Sequence, residues 1–262
     1  NINPYLDKFT LRQSKQTDNV LKFLQPYLNN KINCLILPET FLIEPIWQHA
    51  MLNNLDIKKL NQLITNNPWF ADNNDLQKIY YPLNIFTGAT TLSFLRKTQK
   101  TKSINHHRSY NVYNSVLHLK SEYSDFNYDT LIAPILRLNT YHKSKLVPGA
   151  EQMPFYNFLS LFLGDKLLQI GSSTSIGNFS KQDSVTLFKS DLYGFNSSFN
   201  DSNLVYAVAP IICYESIYGD YVRKFIQKGA NVIFIITNDG WWKNTSGYQQ
   251  HHLYAKLRAI ET

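Results

Sequence analysis

Short, uninterrupted apolar runs closed by polar turns recur along the chain, and they set its secondary structure. Cys34-Leu35-Ile36-Leu37 is the first, ended by Pro38-Glu39-Thr40. A run of this length without alternation predicts a strand buried on both faces. The same reasoning predicts strands near Ile85–Leu92, Asn111–Leu119, Ile135–Tyr141, Leu204–Cys213 and Val232–Thr237. Val20, Leu21, Leu24, Tyr27 and Leu28 repeat at helical spacing and predict a helix over Asn19–Leu28, which Pro26 kinks or shortens. Further helices are predicted near Asp56–Thr65, Tyr218–Lys228 and Gln249–Ile260, with Gly229 as a C-cap.

Strands crowd the middle of the chain and helices flank both ends, a pattern that predicts a layered α/β fold with helices packed outside two sheets. No internal repeat is evident, and 1–262 reads as a single domain. Between Ser172 and Asn203 the sequence turns polar around a candidate strand at Val185–Phe188, which predicts a long excursion. The apolar stretch Phe155–Gly164 is too short to span a bilayer, so it reads as core or as an exposed lid.

Composition narrows the class. With 44% hydrophobic and 14% aromatic residues the chain can build a sizeable core, so disorder is excluded as its general state. There are 26 Lys and Arg against 19 Asp and Glu, a net charge of +7. The basic residues are scattered and form no basic helix or aromatic RNA-binding signature, so no nucleic-acid partner is expected and an anionic membrane surface fits as well. Two cysteines, Cys34 and Cys213, do not make a disulfide framework. No run of eighteen apolar residues and no signal peptide is present.

Three strand exits carry reactive side chains. Ala209-Pro-Ile-Ile-Cys-Tyr-Glu-Ser216 delivers Cys213 to a polar turn before a helix. A free thiol is only a few per cent ionised at neutral pH, so a nucleophilic cysteine needs a base or a positive neighbour. Pro38-Glu39-Thr40 offers a carboxylate suited to general-base work if partly desolvated. Tyr141-His-Lys-Ser-Lys-Leu-Val-Pro-Gly-Ala-Glu151 offers Lys143, with Glu151 beyond it. Each alone has an ordinary reading: a buried small hydrophobe, a solvated turn glutamate, a surface lysine. His106-His107 and His251-His252 invite a metal, but adjacent histidines diverge and no spaced ligand set accompanies them, so none is expected.

Together the three strand ends, in this order and spacing, resemble the nitrilase superfamily. Thr237-Asn-Asp-Gly-Trp-Trp242, Leu146-Val147-Pro148 and Gln249-Gln-His-His-Leu-Tyr-Ala-Lys-Leu-Arg-Ala-Ile-Glu261 resemble the apolipoprotein N-acyltransferases within it. The resemblance extends from Asn1-Ile-Asn-Pro-Tyr-Leu-Asp-Lys-Phe9 to Glu261, and it implies a nitrilase-type αββα layered sandwich. The family's opening strand, its strands after the last helix and its flanking membrane helices have no counterpart here, so a fragment is expected. Gly149-Ala150 departs from the family pattern and leaves the reach of Glu151 open.

The resemblance implies a triad of Glu39, Lys143 and Cys213. Glu39 takes the thiol proton, Cys213 attacks a phospholipid ester to form a thioester, and Lys143 stabilises the oxyanion. The α-amine of a diacylglyceryl-cysteine apolipoprotein then accepts the acyl chain. Glu151, Tyr214, Glu215 and Glu261 are implied as accessory residues, with Trp241 and Trp242 at the substrate pocket. No cofactor is implied. The implied location is the bacterial inner membrane, catalytic domain on the periplasmic side, tethered through the absent flanking helices. The alternative is a soluble amidase of the same superfamily that hydrolyses small carbon–nitrogen bonds.

Overall fold

The computed structural model describes residues 11–28, 32, 34–65, 83–95, 110–122, 135–152, 179–191 and 205–262. The Phe155–Gly164 stretch, His106-His107 and most of the polar excursion lie outside the described residues. Two sheets are built in chain order. The first holds β1 (Cys34–Ile36), β2 (Leu42–Trp47), β3 (Asn84–Phe94), β4 (Tyr110–Glu122) and β5 (Ile135–His142). Its order is β1-β3-β4-β5, with β2 also pairing with β3. The second holds β6 (Phe188–Asp191), β7 (Val205–Ile212) and β8 (Val232–Ile236), in that order.

Strand alternation sorts the first sheet into two faces. Ile85, Leu117 and Leu119 point to one face, where they join Ile57, Leu60 and Ile64 of α2 (Leu55–Thr65) and the apolar side of α1 (Gln13–Leu24). Phe86, Val116 and Tyr141 point to the other and join Phe188, Val208 and Phe234 of the second sheet. Phe86 meets the Phe234 ring edge-on, with centroids 5.0 Å apart. Beyond the second sheet come α3 (Gly219–Gln227) and α4 (Ser246–Glu261). The layers therefore run helix, sheet, sheet, helix, the layered α/β arrangement expected.

Three local differences from the sequence pattern have physical causes. The first helix begins at Gln13, well before Asn19, because its first turns bury polar side chains, and the amide of Gln13 is met by the backbone at the start of β2. Gln13 Nε2 donates to the Phe41 carbonyl at 3.1 Å, and Gln13 Oε1 accepts from Ile43 N at 2.7 Å. Hydrophobic spacing does not register such positions. The helix gives way at Gln25–Tyr27 to a tight turn that contains Pro26. β2 is not predicted because Glu44 and Pro45 interrupt its apolar run; among the described residues it pairs with β3 alone, and proline is tolerated on such an edge. Among the described residues β1 also stands at an edge; Ile36 is 45% exposed and the strand is not buried on both faces. The predicted strand at Val185–Phe188 instead starts at Phe188.

β1 and β2 run along the same side of β3, and the chain between them bulges outward. Ile36 pairs with Phe86 and Leu42 with Ala89, so six residues of one path match three of the other. The surplus forms the turn that carries Glu39. Gly88 permits it: a Cβ there would lie 2.4 Å from Thr40 N and 2.6 Å from Glu39 Cα. Any side chain at this position drives into the turn backbone.

The two sheets are tied by one carboxylate. Glu215, fully buried in the turn after β7, accepts from Tyr141 Oη at 2.6 Å and from the backbone N of Ser144 at 2.6 Å. Its other oxygen accepts from Ile212 N at 2.9 Å. Tyr141 and Tyr221 lie 2.8 Å apart through their hydroxyls, and Tyr221 donates to Ser144 Oγ at 2.6 Å.

Burial pushes the Glu215 carboxyl up to about 7, even though its hydrogen-bond donors pull it down. A carboxyl raised in the folded state binds its proton more tightly there than in the unfolded chain. Its contribution to stability is present in acid and is lost as pH rises from the ordinary carboxylate range to about 7. Glu215→Gln turns an amide donor toward backbone donors, so it is expected to destabilise by about 1–3 kcal/mol. Urea melts at stepped pH should also lose this part of the slope; an unchanged slope counts against the assignment. Gly88→Ala is expected to cost about 1–3 kcal/mol in the same melts, from overpacking against the Glu39 turn.

Candidate active site

Lys143 follows β5 directly, and its backbone N donates to the Asn114 carbonyl at 2.8 Å, which continues the β4–β5 pairing one step beyond the strand. That step turns the side chain into the protein, where Lys143 is 1% exposed. A buried ammonium needs partners. Its Nζ finds Glu39 Oε1 at 3.0 Å and Glu151 Oε1 at 2.9 Å. Burial alone lowers the lysine's affinity for its proton, but Glu39 and Glu151 outweigh that and hold it well above the ordinary lysine range. Lys143 is thus a fixed cation and not surface charge.

The same two carboxylate oxygens share a second donor. Asn114 Nδ2 lies 2.8 Å from Glu39 Oε1 and 2.7 Å from Glu151 Oε1. Asn114 was not singled out in the sequence; its one signal is an amide amid an otherwise well-formed strand. Glu151 also accepts from Val147 N at 2.9 Å, so the Val147–Gln152 turn closes on its own glutamate. Gly149, at φ 82°, supplies the left-handed residue that turn requires. The Gly149-Ala150 departure therefore leaves Glu151 within reach of Lys143.

Cys213 directly follows β7 with φ 45°, a left-handed conformation that is rare for a residue with a side chain. The thiol is pushed up to about 12, by burial first and then by Glu39, while Lys143 and the Thr237 side chain pull it back. Those influences put the sulfur in the same electrostatic cluster as Glu39, Lys143 and Glu151. At rest it is a thiol, and it ionises only when a base removes the proton.

The remaining expected residues fall at different distances from this cluster. Glu215 lies behind it, bonded to the backbone on both sides of the site. Tyr214 is half-buried and meets Tyr218 edge-on, with ring centroids 5.4 Å apart. Glu261 pairs with Arg258 at 2.9 Å, and Arg258 Nη1 donates to the carbonyls of Ser216 and Ile217 at 3.3 Å. Glu261 therefore supports the end of the turn that begins at Cys213 and stands apart from the Lys143 cluster. Trp242 is 51% exposed and packs on Gly247, where a Cβ would lie 2.5 Å from its ring. The Trp241 side chain lies outside the described residues. Among those residues no group of three or more His, Cys, Asp or Glu is arranged to hold a metal ion.

Comparison with known proteins adds the lineage. The chain is 32% identical over 124 residues to an apolipoprotein N-acyltransferase of Wigglesworthia glossinidia brevipalpis, a stretch that covers 47% of this chain and 21% of that protein. It is 32% identical over 143 residues to an apolipoprotein N-acyltransferase of Chlorobaculum tepidum, covering 54% and 24%. The matches thus span between a fifth and a quarter of those relatives. Saccharomyces cerevisiae Nit3, a member of branch 10 of the nitrilase superfamily, overlays with a TM-score of 0.45 at 15% identity, over 95% of this chain and 66% of its own. The family model described as carbon-nitrogen hydrolase matches residues 3–262. By that match across nearly its whole length, the chain belongs to the carbon–nitrogen hydrolase family.

Proposed function

We propose that this chain is the catalytic part of an apolipoprotein N-acyltransferase that moves a fatty acyl chain through a thioester on Cys213. The observation that carries the proposal is the buried ammonium of Lys143, 3.0 Å from Glu39 and 2.9 Å from Glu151, coupled to the thiol at the end of β7. The names of the relatives choose the substrate.

In this reading Glu39 accepts the Cys213 proton as sulfur attacks the ester carbonyl of a phospholipid. The carbon–sulfur bond forms, the ester C–O bond breaks on collapse of the tetrahedral intermediate, and the proton goes to the departing lysophospholipid hydroxyl. The α-amine of a diacylglyceryl-cysteine apolipoprotein then attacks the thioester, loses a proton to Glu39 and returns the thiol. Both intermediates carry an oxyanion, and Lys143 is the fixed cation that meets it. Glu151 and Asn114 hold Lys143 and Glu39 in register, so the site needs no reorganisation as charge develops. Glu215 fixes the loop after Lys143 against the nucleophile turn, and Trp242 offers an exposed aromatic face to the acyl chain or headgroup. The reaction is assigned to the periplasmic face of the bacterial inner membrane; among the described residues no helix is long and apolar enough to cross it. A second reading, hydrolysis of a small amide, is favoured by the family description and uses the same three residues.

Intact-protein mass spectrometry after incubation with phosphatidylethanolamine in mixed micelles separates these readings. An acyl-sized adduct is expected on the wild type and absent from Cys213→Ser; ammonia release from small amides without an adduct would favour the hydrolase. Lys143→Met is expected to slow adduct formation by roughly a hundredfold to a thousandfold, the usual effect of deleting one oxyanion donor. It also leaves Glu39 and Glu151 buried without their cation, at about 3–5 kcal/mol of stability in a urea melt.

A further inference from the structure

One face of α4 aims donors at the carbonyls of the turn that begins at Cys213. His251 and Arg258 lie about two helical turns apart on it and so share that face. Arg258 Nη1 reaches the Ser216 and Ile217 carbonyls at 3.3 Å. His251 Nε2 lies 3.1 Å from the Cys213 carbonyl oxygen and 3.1 Å from Ser216 Oγ, whose hydroxyl donates to that carbonyl at 2.8 Å. On the other side of the ring, Nδ1 meets Asp239 Oδ1 at 2.8 Å. Asp239 is itself fixed, because the hydroxyl of Thr237, just past β8, donates to the same oxygen at 2.8 Å. The Asp239–His251 pair has no part in the reaction above.

The partners decide what the ring does. A carbonyl oxygen and a carboxylate accept hydrogen bonds and cannot donate, and Ser216 spends its one hydrogen on the carbonyl. His251 therefore bonds the Cys213 carbonyl as an N–H donor through Nε2, and Nδ1–H donates to Asp239; the ring makes both bonds at once when each nitrogen carries a hydrogen. The carbonyl it holds belongs to the residue with φ 45°. On the other side of that residue, Ile212 pairs with Ile236 of β8, and its N–H donates to Glu215 at 2.9 Å. With Ile212 held by the sheet and the Cys213 carbonyl held by Ser216 and His251, the residue leaves its left-handed state only by breaking hydrogen bonds. The direction of its Cα–Cβ bond, and of the sulfur beyond, follows from that fixed backbone.

We propose that His251 is a positioning residue, whose Nε2 hydrogen bond to the Cys213 carbonyl fixes the direction of the sulfur while Asp239 holds the ring in place. The proposal rests on the reading of Cys213 as the reacting thiol, not on the identity of the acyl donor. It gives His251 a task in the backbone of the site in place of a metal.

Asparagine and glutamine divide the two bonds of this histidine, since the Asn amide nitrogen reaches the place of Nδ1 and the Gln amide nitrogen that of Nε2. His251→Gln is expected to keep the carbonyl bond and lose Asp239; His251→Asn is expected to do the reverse. Two readouts follow Cys213 without any acyl substrate. Its alkylation by iodoacetamide, timed by peptide mass spectrometry, is expected to slow roughly tenfold in His251→Asn, the scale of one lost hydrogen bond, and to stay within about threefold of wild type in His251→Gln. The chain has two cysteines, so labelling cysteine with carbon-13 at its carbonyl gives two signals, told apart by Cys34→Ser. The Cys213 signal is expected to move in His251→Asn and to stay near its place in His251→Gln. A His251→Asn protein that melts normally and leaves either readout unchanged overturns the proposal. So does a His251→Gln protein as slow as His251→Asn, since that traces the effect to packing of the ring. If asparagine prevents folding, His251→Ala against His251→Gln carries the same comparison. An absent acyl adduct together with the expected pattern would remove the lipid reading and leave the role of His251 standing.

Discussion

A single buried carboxylate holds the two halves of the site in one frame. Glu215 belongs to the turn after β7, yet three of its four side-chain hydrogen bonds among the described residues reach Tyr141, Ser144 and Lys145, which belong to β5 or follow it in the other sheet. Two sheets packed through apolar side chains can slide by a fraction of a side chain at little cost, because the hydrophobic effect has no direction. Hydrogen bonds to fixed backbone donors do have direction. The link therefore converts a packed interface into a registered one, and it does so beside Lys143 and Cys213.

Within that frame the charges arrange themselves around one cation. Lys143 has left water, so its ammonium is satisfied only by what the fold supplies, and Glu39 and Glu151 arrive from two different turns to supply it. Asn114 donates to the same two oxygens and so separates two carboxylates that would otherwise crowd each other. The three turns are each shaped by a local backbone feature: Gly88 behind the Glu39 bulge, Gly149 in the Glu151 turn, and the left-handed Cys213. Precision at the centre is built from ordinary turn chemistry at the edges.

Much of this was legible in the sequence. The segments at Ile85, Asn111, Ile135 and Val232 marked strands because apolar and β-branched residues recur densely in each. The strand exits marked Glu39, Lys143 and Cys213, since polar residues that interrupt such runs stand out. What stayed hidden was polar and long-range. The start of α1 rests on Gln13, whose partners Phe41 and Ile43, around the start of β2, lie 28 and 30 residues away. β2 is an edge strand with a proline, which no alternation reveals. Asn114 acquires meaning only when separate elements converge, and a hydrogen bond between distant positions leaves no periodic trace.

The left-handed backbone of Cys213 has a consequence for the balance between folding and chemistry. A residue with a Cβ at φ 45° costs on the order of 1 kcal/mol that glycine would not incur. The position is thus one where the residue with the least backbone strain and the residue present differ. Drift toward a sturdier fold would favour losing the sulfur, so under the proposed role of Cys213 the thiol survives there only as long as its reactivity is worth more than the strain it imposes.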